Sequence, residues 1–144
     1  MGKKRIIKKA EDSAPEISQK GRPSISSRKR FSRGLVHILS TYNNTIITIT
    51  DEQGNVILSN SSGRSGFHGS KKGTPYAATK AAEFLADQSR DLGITDIDVR
   101  IKGVGSGRES ALRVFGQRGF VIHSIKDATP IPHGHPRLVK PRRV

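Results

Sequence analysis

The densest chemistry-bearing stretch of the chain is Lys102-Gly103-Val104-Gly105-Ser106-Gly107-Arg108-Glu109. Three glycines in five residues permit positive φ and let another molecule approach the backbone closely. Upstream, Ile97, Val99 and Ile101 alternate with Asp98, Arg100 and Lys102, as in a half-buried strand. Downstream, Ala111, Leu112 and Phe115, with Arg108 one turn earlier, form a helical stripe that Gly119 stops. The glycines therefore sit at a strand-to-helix turn, where backbone N–H groups and the helix dipole favour an anion. Arg108 adds a cation to the same turn. The alternative is a tight turn in front of a capped helix.

A nucleotide loop fits poorly. The dinucleotide pattern Gly-x-Gly-x-x-Gly needs its third glycine one residue later, and a P-loop ends in Gly-Lys-Ser/Thr where this chain has Gly107-Arg108-Glu109. There is no cysteine, hence no thiolate nucleophile, thiolate metal site or disulfide. His133-x-His135 offers two imidazoles on a proline-flanked arm without further ligands beside them, which is a poor metal cage. Asp51 and Glu52 lie in a turn, and Asp96 with Asp98 form an isolated pair, so these acids read as surface groups and not as a two-metal site. The expectation is a non-enzymatic protein without cofactor or metal.

A second stretch, Ser59 to Gly73, contains four glycines, five serines, Arg64, His68, Lys71, Lys72 and a single aromatic, Phe67. It has no periodicity and is too long for a plain connection, which points to a functional loop. Small residues admit an RNA backbone, Ser70 and its neighbours can bond phosphate or sugar, the cations supply charge, and Phe67 can stack on a base. The alternative is a loop with Phe67 folded back on the core.

Charge agrees with a polyanionic partner. The 144 residues carry a formal net charge of +14, and only 33% are hydrophobic. This balance points to nucleic acid. Residues 1–33 hold eleven Lys/Arg and three acids, including Arg28, Lys29, Arg30 and Arg33. Residues 129–144 add Arg137, Lys140, Arg142 and Arg143 without an acid, whereas 34–128 has eleven bases against nine acids. The expected organisation is a basic extension over 1–33, disordered in isolation, a globular RNA-binding domain over 34–128 and an extended basic tail over 129–144. A solubilising role for the extension is the alternative. No apolar run approaches the roughly 18 residues of a membrane span, and no basic amphipathic helix points to a membrane surface.

The elements that would position these residues follow from period and punctuation. Gly34–Ser40, Thr45–Thr50 and Val56–Ser59 read as an antiparallel strand meander, with turns at Tyr42-Asn43-Asn44 and Asp51–Asn55. Thr74-Pro75 opens a helix that runs to about Leu92, with an alanine-rich apolar side. Strand, turn and second helix follow, then a last strand over Val121–Ile125 that ends before Asp127. Three prolines between Thr129 and Pro136 exclude helix and central strand there. The result is an α/β fold: a mixed five-stranded sheet, antiparallel meander plus parallel crossovers, with two helices. Its element order resembles that of ribonuclease-H-like nucleases.

Several motifs in order carry a closer resemblance. They are Asn43-Asn44-Thr45-Ile46 with Thr48-Ile49-Thr50-Asp51, Gly54-Asn55, Gly66-Phe67 with Gly69-Ser70, Thr74-Pro75 with Ala77-Ala78, Lys102-Gly103-x-Gly105-x-Gly107-Arg108-Glu109 with Ala111 and Arg113, Thr129-Pro130-x-Pro132-His133, and Arg142-Arg143-Val144. The chain resembles the bacterial form of the universal small-subunit ribosomal protein family numbered eleven. The resemblance implies a cytoplasmic, ribosome-bound protein of the small-subunit platform. It would bind small-subunit ribosomal RNA, touch neighbouring platform proteins and lie near the messenger exit path, with no homo-oligomer. It places RNA contacts on Asn43, Asn44, Gly103, Gly105, Gly107, Arg113 and His133 besides the cations above. Two departures stand out. After Pro132-His133 the chain reads Gly134-His135-Pro136-Arg137-Leu138-Val139 where relatives usually have Asn-Gly-Cys-Arg-Pro-Pro, so the isoaspartate found there in some relatives cannot form. His68 and Gly73 also replace the usual lysine and serine.

Overall fold

Gly34, Val36, Ile38 and Ser40 are buried, and Leu35, His37 and Leu39 between them are half-buried. Their strand, β1 (Arg33–Ser40), is the middle of a five-stranded sheet in the computed structural model, which describes residues 31–134 and 139–140. The β-branched run Thr45–Thr50 forms β2, antiparallel to β1 with Ile47 opposite Ile38, and Val56–Ser61 forms β3 on its far side. β4 (Asp96–Lys102) pairs parallel with β1, and β5 (Val121–Asp127) pairs parallel with β4. The strand order is β3-β2-β1-β4-β5.

The helices α1 (Pro75–Asp91) and α2 (Gly107–Gln117) cover one face of the sheet. Their buried side chains share a cluster with Val36, Ile38, Ile47, Ile49, Ile97 and Val99. Alanines at 78, 81, 82 and 86 bring α1 close to the strands, and Leu85 and Phe115 fill the remaining space. Each large apolar side chain buried this way contributes about 1.5–3 kcal/mol. Both helix boundaries have local causes. Thr74 Oγ1 accepts from Ala77 N at 3.3 Å and Pro75 occupies the first helical position, while Gly93 beyond the far end has φ 84°.

The sequence expectation differs from the fold at five places. Phe31 packs against the core and its N–H bonds Leu92 O at 3.3 Å, so the packed domain takes up residues assigned to the basic extension. β3 continues through Ser61 because Asn60, though polar, is satisfied inside by Ala81 O and Ser65 Oγ. β5 continues through Asp127, which pairs with Ile101 across the ladder. The stretch read as a featureless loop contains a 3-10 turn at Gly69–Gly73. In α2 the buried positions are Gly107, Ala111, Val114 and Phe115, with Leu112 only partly buried.

Candidate nucleic-acid interface

β1, β3, β4 and β5 all end at one edge of the sheet, and β2 begins there. The segments 41–44, 62–74 and 103–106 and the chain after Asp127 therefore leave from the same edge. The short turn is tied by Thr41: its N–H donates to Asn44 O at 2.9 Å, and its Oγ1 accepts from Asn44 N at 3.1 Å. That leaves Tyr42 and Asn43 exposed and Asn44 half-buried, with Asn44 Oδ1 enclosed and lacking a hydrogen-bond partner among the described residues.

The glycines serve the protein's own backbone. An added Cβ on Gly103 would overlap Ser40 O, one on Gly105 would overlap Thr41 O, and one on Gly73 would overlap Tyr42 O. A Cβ on Gly107 would meet Thr45 Oγ1 and lie 2.8 Å from Ala78 Cβ. Gly105 N donates to Ser40 O at 2.9 Å and Gly103 N to Thr129 Oγ1 at 3.2 Å. Only Gly103 among the three has positive φ, at 99°. The expected phosphate cradle thus loses two of its N–H groups to internal bonds, because the β4–α2 turn packs on the β1–β2 turn.

Arg108 is likewise engaged. Its Nη1 donates to Gly103 O at 2.6 Å and its Nη2 pairs with the Asp127 carboxylate. Thr129 donates to Asp127 Oδ1 from its N at 2.9 Å and its Oγ1 at 2.6 Å. These Thr129 bonds first, and Arg108 after them, hold the Asp127 carboxyl down at about 2. In this structure Arg108 therefore clamps the turn to the last strand, where the motif alone suggested an open cation.

The longer segment is built on Ser62, whose N–H donates to Thr45 O at 3.0 Å. Phe67 N bonds Ser62 O at 3.3 Å, and Ser106 Oγ donates to Gly73 O at 3.0 Å, joining this segment to the glycine turn. Phe67 is half-buried and meets Tyr76 edge-on, with centroids 5.8 Å apart. Arg64, His68, Ser70 and Lys71 are exposed, and the stem of half-buried Lys72 lies against Gly63. Lys102 is exposed at the end of β4, and Arg113 on α2, His133 and Lys140 are exposed as well. Among the described residues none of Arg64, Lys71, Lys72, Lys102 and Arg113 has a carboxylate within salt-bridge distance.

Arg33 is not brought to this edge. It sits at the opposite one, paired with Asp98 at 2.7 Å and Glu52 at 3.8 Å. Arg28, Lys29, Arg30, Arg137, Arg142 and Arg143 lie outside the described residues, as does His135 of the candidate metal pair. The carboxylates do not converge. Asp98 is lowered by Ser124 and Arg33, Asp96 by His123 and Thr95, and Asp51 by the Asn55 amide across its turn. No group of three potential metal-binding side chains occurs among the described residues, and none of their helices is long and apolar enough to cross a membrane.

Sequence reasoning missed Tyr76 and the Asp127–Thr129 clamp. A signal for Tyr76 was present: Thr74-Pro75 fixes the helix start, and a large aromatic directly after it falls outside the alanine stripe. A family model described as Ribosomal protein S11 matches residues 34–143, more than half of the chain.

Proposed function

The chain belongs to the ribosomal protein S11 family, and from that premise we propose that it is a structural constituent of the small-subunit platform, near the messenger exit path. Members of the family are structural, non-enzymatic small-subunit proteins that bind ribosomal RNA. In our reading the RNA lies along the loop edge of the sheet. Arg64, His68, Ser70, Lys71 and Lys72 hold its backbone, with Asn43, Asn44, Lys102, Arg113 and His133 beside them. The basic extension and tail add phosphate contacts, neighbouring platform proteins touch other faces, and the cytoplasmic assembly needs no second copy of the chain. Binding there supports subunit assembly and translation.

The observation that carries this reading is the division of charge. Most acids of the described domain have internal partners, among them Arg33, His123, Thr129 and Arg108, with Asp91 and Glu109 the exceptions among the described residues. The cations of the 62–74 segment have no carboxylate partner among the described residues, and Arg64 reaches only the Ser59 carbonyl oxygen, at 3.4 Å. Cations that neutralise phosphates release counterions, so binding weakens linearly in log–log salt plots. Filter binding of a small-subunit ribosomal RNA transcript over a salt series tests it. Lys71→Ala with Lys72→Ala should flatten the slope by about 0.7–0.9 for each phosphate that is no longer neutralised. An unchanged slope and affinity would remove this segment from the interface.

A further inference from the structure

The exposed aromatic beside the 62–74 segment is Tyr76 and not Phe67. Tyr76 is 63% exposed, and its hydroxyl makes no hydrogen bond with the described residues. It stands at the second position of α1, behind the Thr74 cap and Pro75, so its backbone is fixed. Phe67 meets it at an interplanar angle of 88° from a backbone bonded to Ser62, and so buttresses the ring from the segment side. Lys80, one turn along α1, places Nζ 5.8 Å from the Tyr76 centroid while bonded to Glu83 at 2.8 Å. Tyr42 is more exposed, but among the described residues it has no aromatic neighbour within stacking distance.

A rigid, buttressed ring is a surface for another flat group. Its surroundings identify the group. Lys71 and Lys72, three and two residues before the Thr74 cap, have no carboxylate partner among the described residues, so a polyanion belongs beside the ring. A flat face joined to phosphates is an unstacked nucleobase of single-stranded or bulged RNA, the form in which aromatic side chains take bases. We propose that Tyr76, buttressed by Phe67 and flanked by Lys80, is a stacking platform for one unpaired RNA base whose phosphates lie on Lys71 and Lys72. The proposal rests on the ribosomal RNA-binding reading above and names the form of RNA that this part of the edge takes.

The chain has two tyrosines and no tryptophan, so Tyr42→Phe leaves Tyr76 as the sole tyrosine emitter. In that background, a short oligoadenylate should quench the emission. It should bind roughly tenfold tighter than an abasic ribose-phosphate of the same length, the size of effect that base–aromatic stacking gives. Tyr76→Leu should abolish the difference and Tyr76→Phe should keep it. Oligoadenylate that binds no tighter than the abasic strand, with emission unchanged, overturns the platform while leaving phosphate binding intact. Emission unmoved by RNA but quenched by purified small-subunit proteins overturns it in favour of a protein contact. Failure of the parent to bind small-subunit RNA at all would instead remove the reading beneath it. The quenching measurement needs no Tyr76 variant, so it decides the matter even if Tyr76→Leu folds poorly.

Discussion

Gly105→Ala is the sharpest perturbation of this fold. Gly105 is buried with φ outside the left-handed region, so the substitution carries no conformational penalty of its own. Its whole cost is the space that one methyl group needs. That methyl would lie on Thr41 O and Ser40 Oγ, with Thr41 C at 2.8 Å. Backbone atoms of a tied turn cannot rotate away as a side-chain tip can. Relief requires the β4–α2 turn to lift from the β1–β2 turn. That costs the overpacking strain of about 1–3 kcal/mol and weakens the bond from Gly105 N to Ser40 O, worth about 0.5–1.5 kcal/mol. The expected loss is about 2–4 kcal/mol, which lowers Tm by about 8 °C or more on the scale of roughly 4–8 °C per kcal/mol for a domain of this size. Gly116→Ala is the internal control. Gly116 lies in α2, exposed, with nothing within 4 Å of an added Cβ, so alanine should stabilise the helix by about 0.5–1 kcal/mol. Paired thermal and urea melts of both variants give the answer. A Gly105→Ala protein that melts like the parent, yet binds RNA poorly, would refute the packing account and restore the glycines to a phosphate cradle.

Three further outcomes follow from the same geometry. Asp127 has its carboxyl lowered to about 2 in the folded protein, against about 3.9 in an unfolded chain. Its contribution is therefore complete above pH 4 and lost as pH falls from about 4 to about 2; acid melts of Asp127→Asn should show a shallower fall across that window than the parent. His37 has its pKa lowered by burial and, secondarily, by Arg100, so the unfolded chain binds its proton more readily and stability falls as pH drops below about 6.5. His37→Asn should flatten the difference in Tm between pH 7.5 and 5.5, and an unchanged difference would assign it to other groups. Thr74→Ala removes the acceptor for Ala77 N and the donor to Lys71 O at 2.8 Å; urea melts should show a loss of about 0.5–2 kcal/mol, restored by Thr74→Ser.

What the sequence disclosed depended on how local its cause was. Alternation in Thr45–Thr50 and in Asp96–Lys102 is a property of six or seven consecutive residues, and both strands lie where the pattern put them. The end of β5 had no such pattern. Lys126 and Asp127 are exposed on an edge strand, and only the partner residues Arg100 and Ile101 make them part of it. The glycine turn was found but its purpose was not. Close approach of backbone is written in the glycines themselves, whereas the approaching group, Ser40 and Thr41, is about sixty residues away in the chain. The internal partner of Arg108 was hidden for the same reason, since its carboxylate belongs to the last strand. Phe67, the segment's aromatic, is half-buried against Tyr76. The ring it supports lies beyond a proline, in what read as ordinary helix.

The loop edge is assembled from stretches separated by most of the domain. The 41–44 turn forms its floor, the 62–74 segment carries its cations, the 103–106 turn is wedged on the floor, and Thr129 bonds the wedge in place. During synthesis these parts emerge one after another, and the basic extension emerges before them. A partial chain thus offers clustered positive charge, which any phosphate polymer attracts, long before it offers a shaped surface. The surface is finished only when β5 has joined the sheet and Asp127 has engaged Arg108. If the edge takes RNA as proposed, binding that depends on its shape would wait for the completed domain, and the last few residues of the fold would set the moment at which that shape exists.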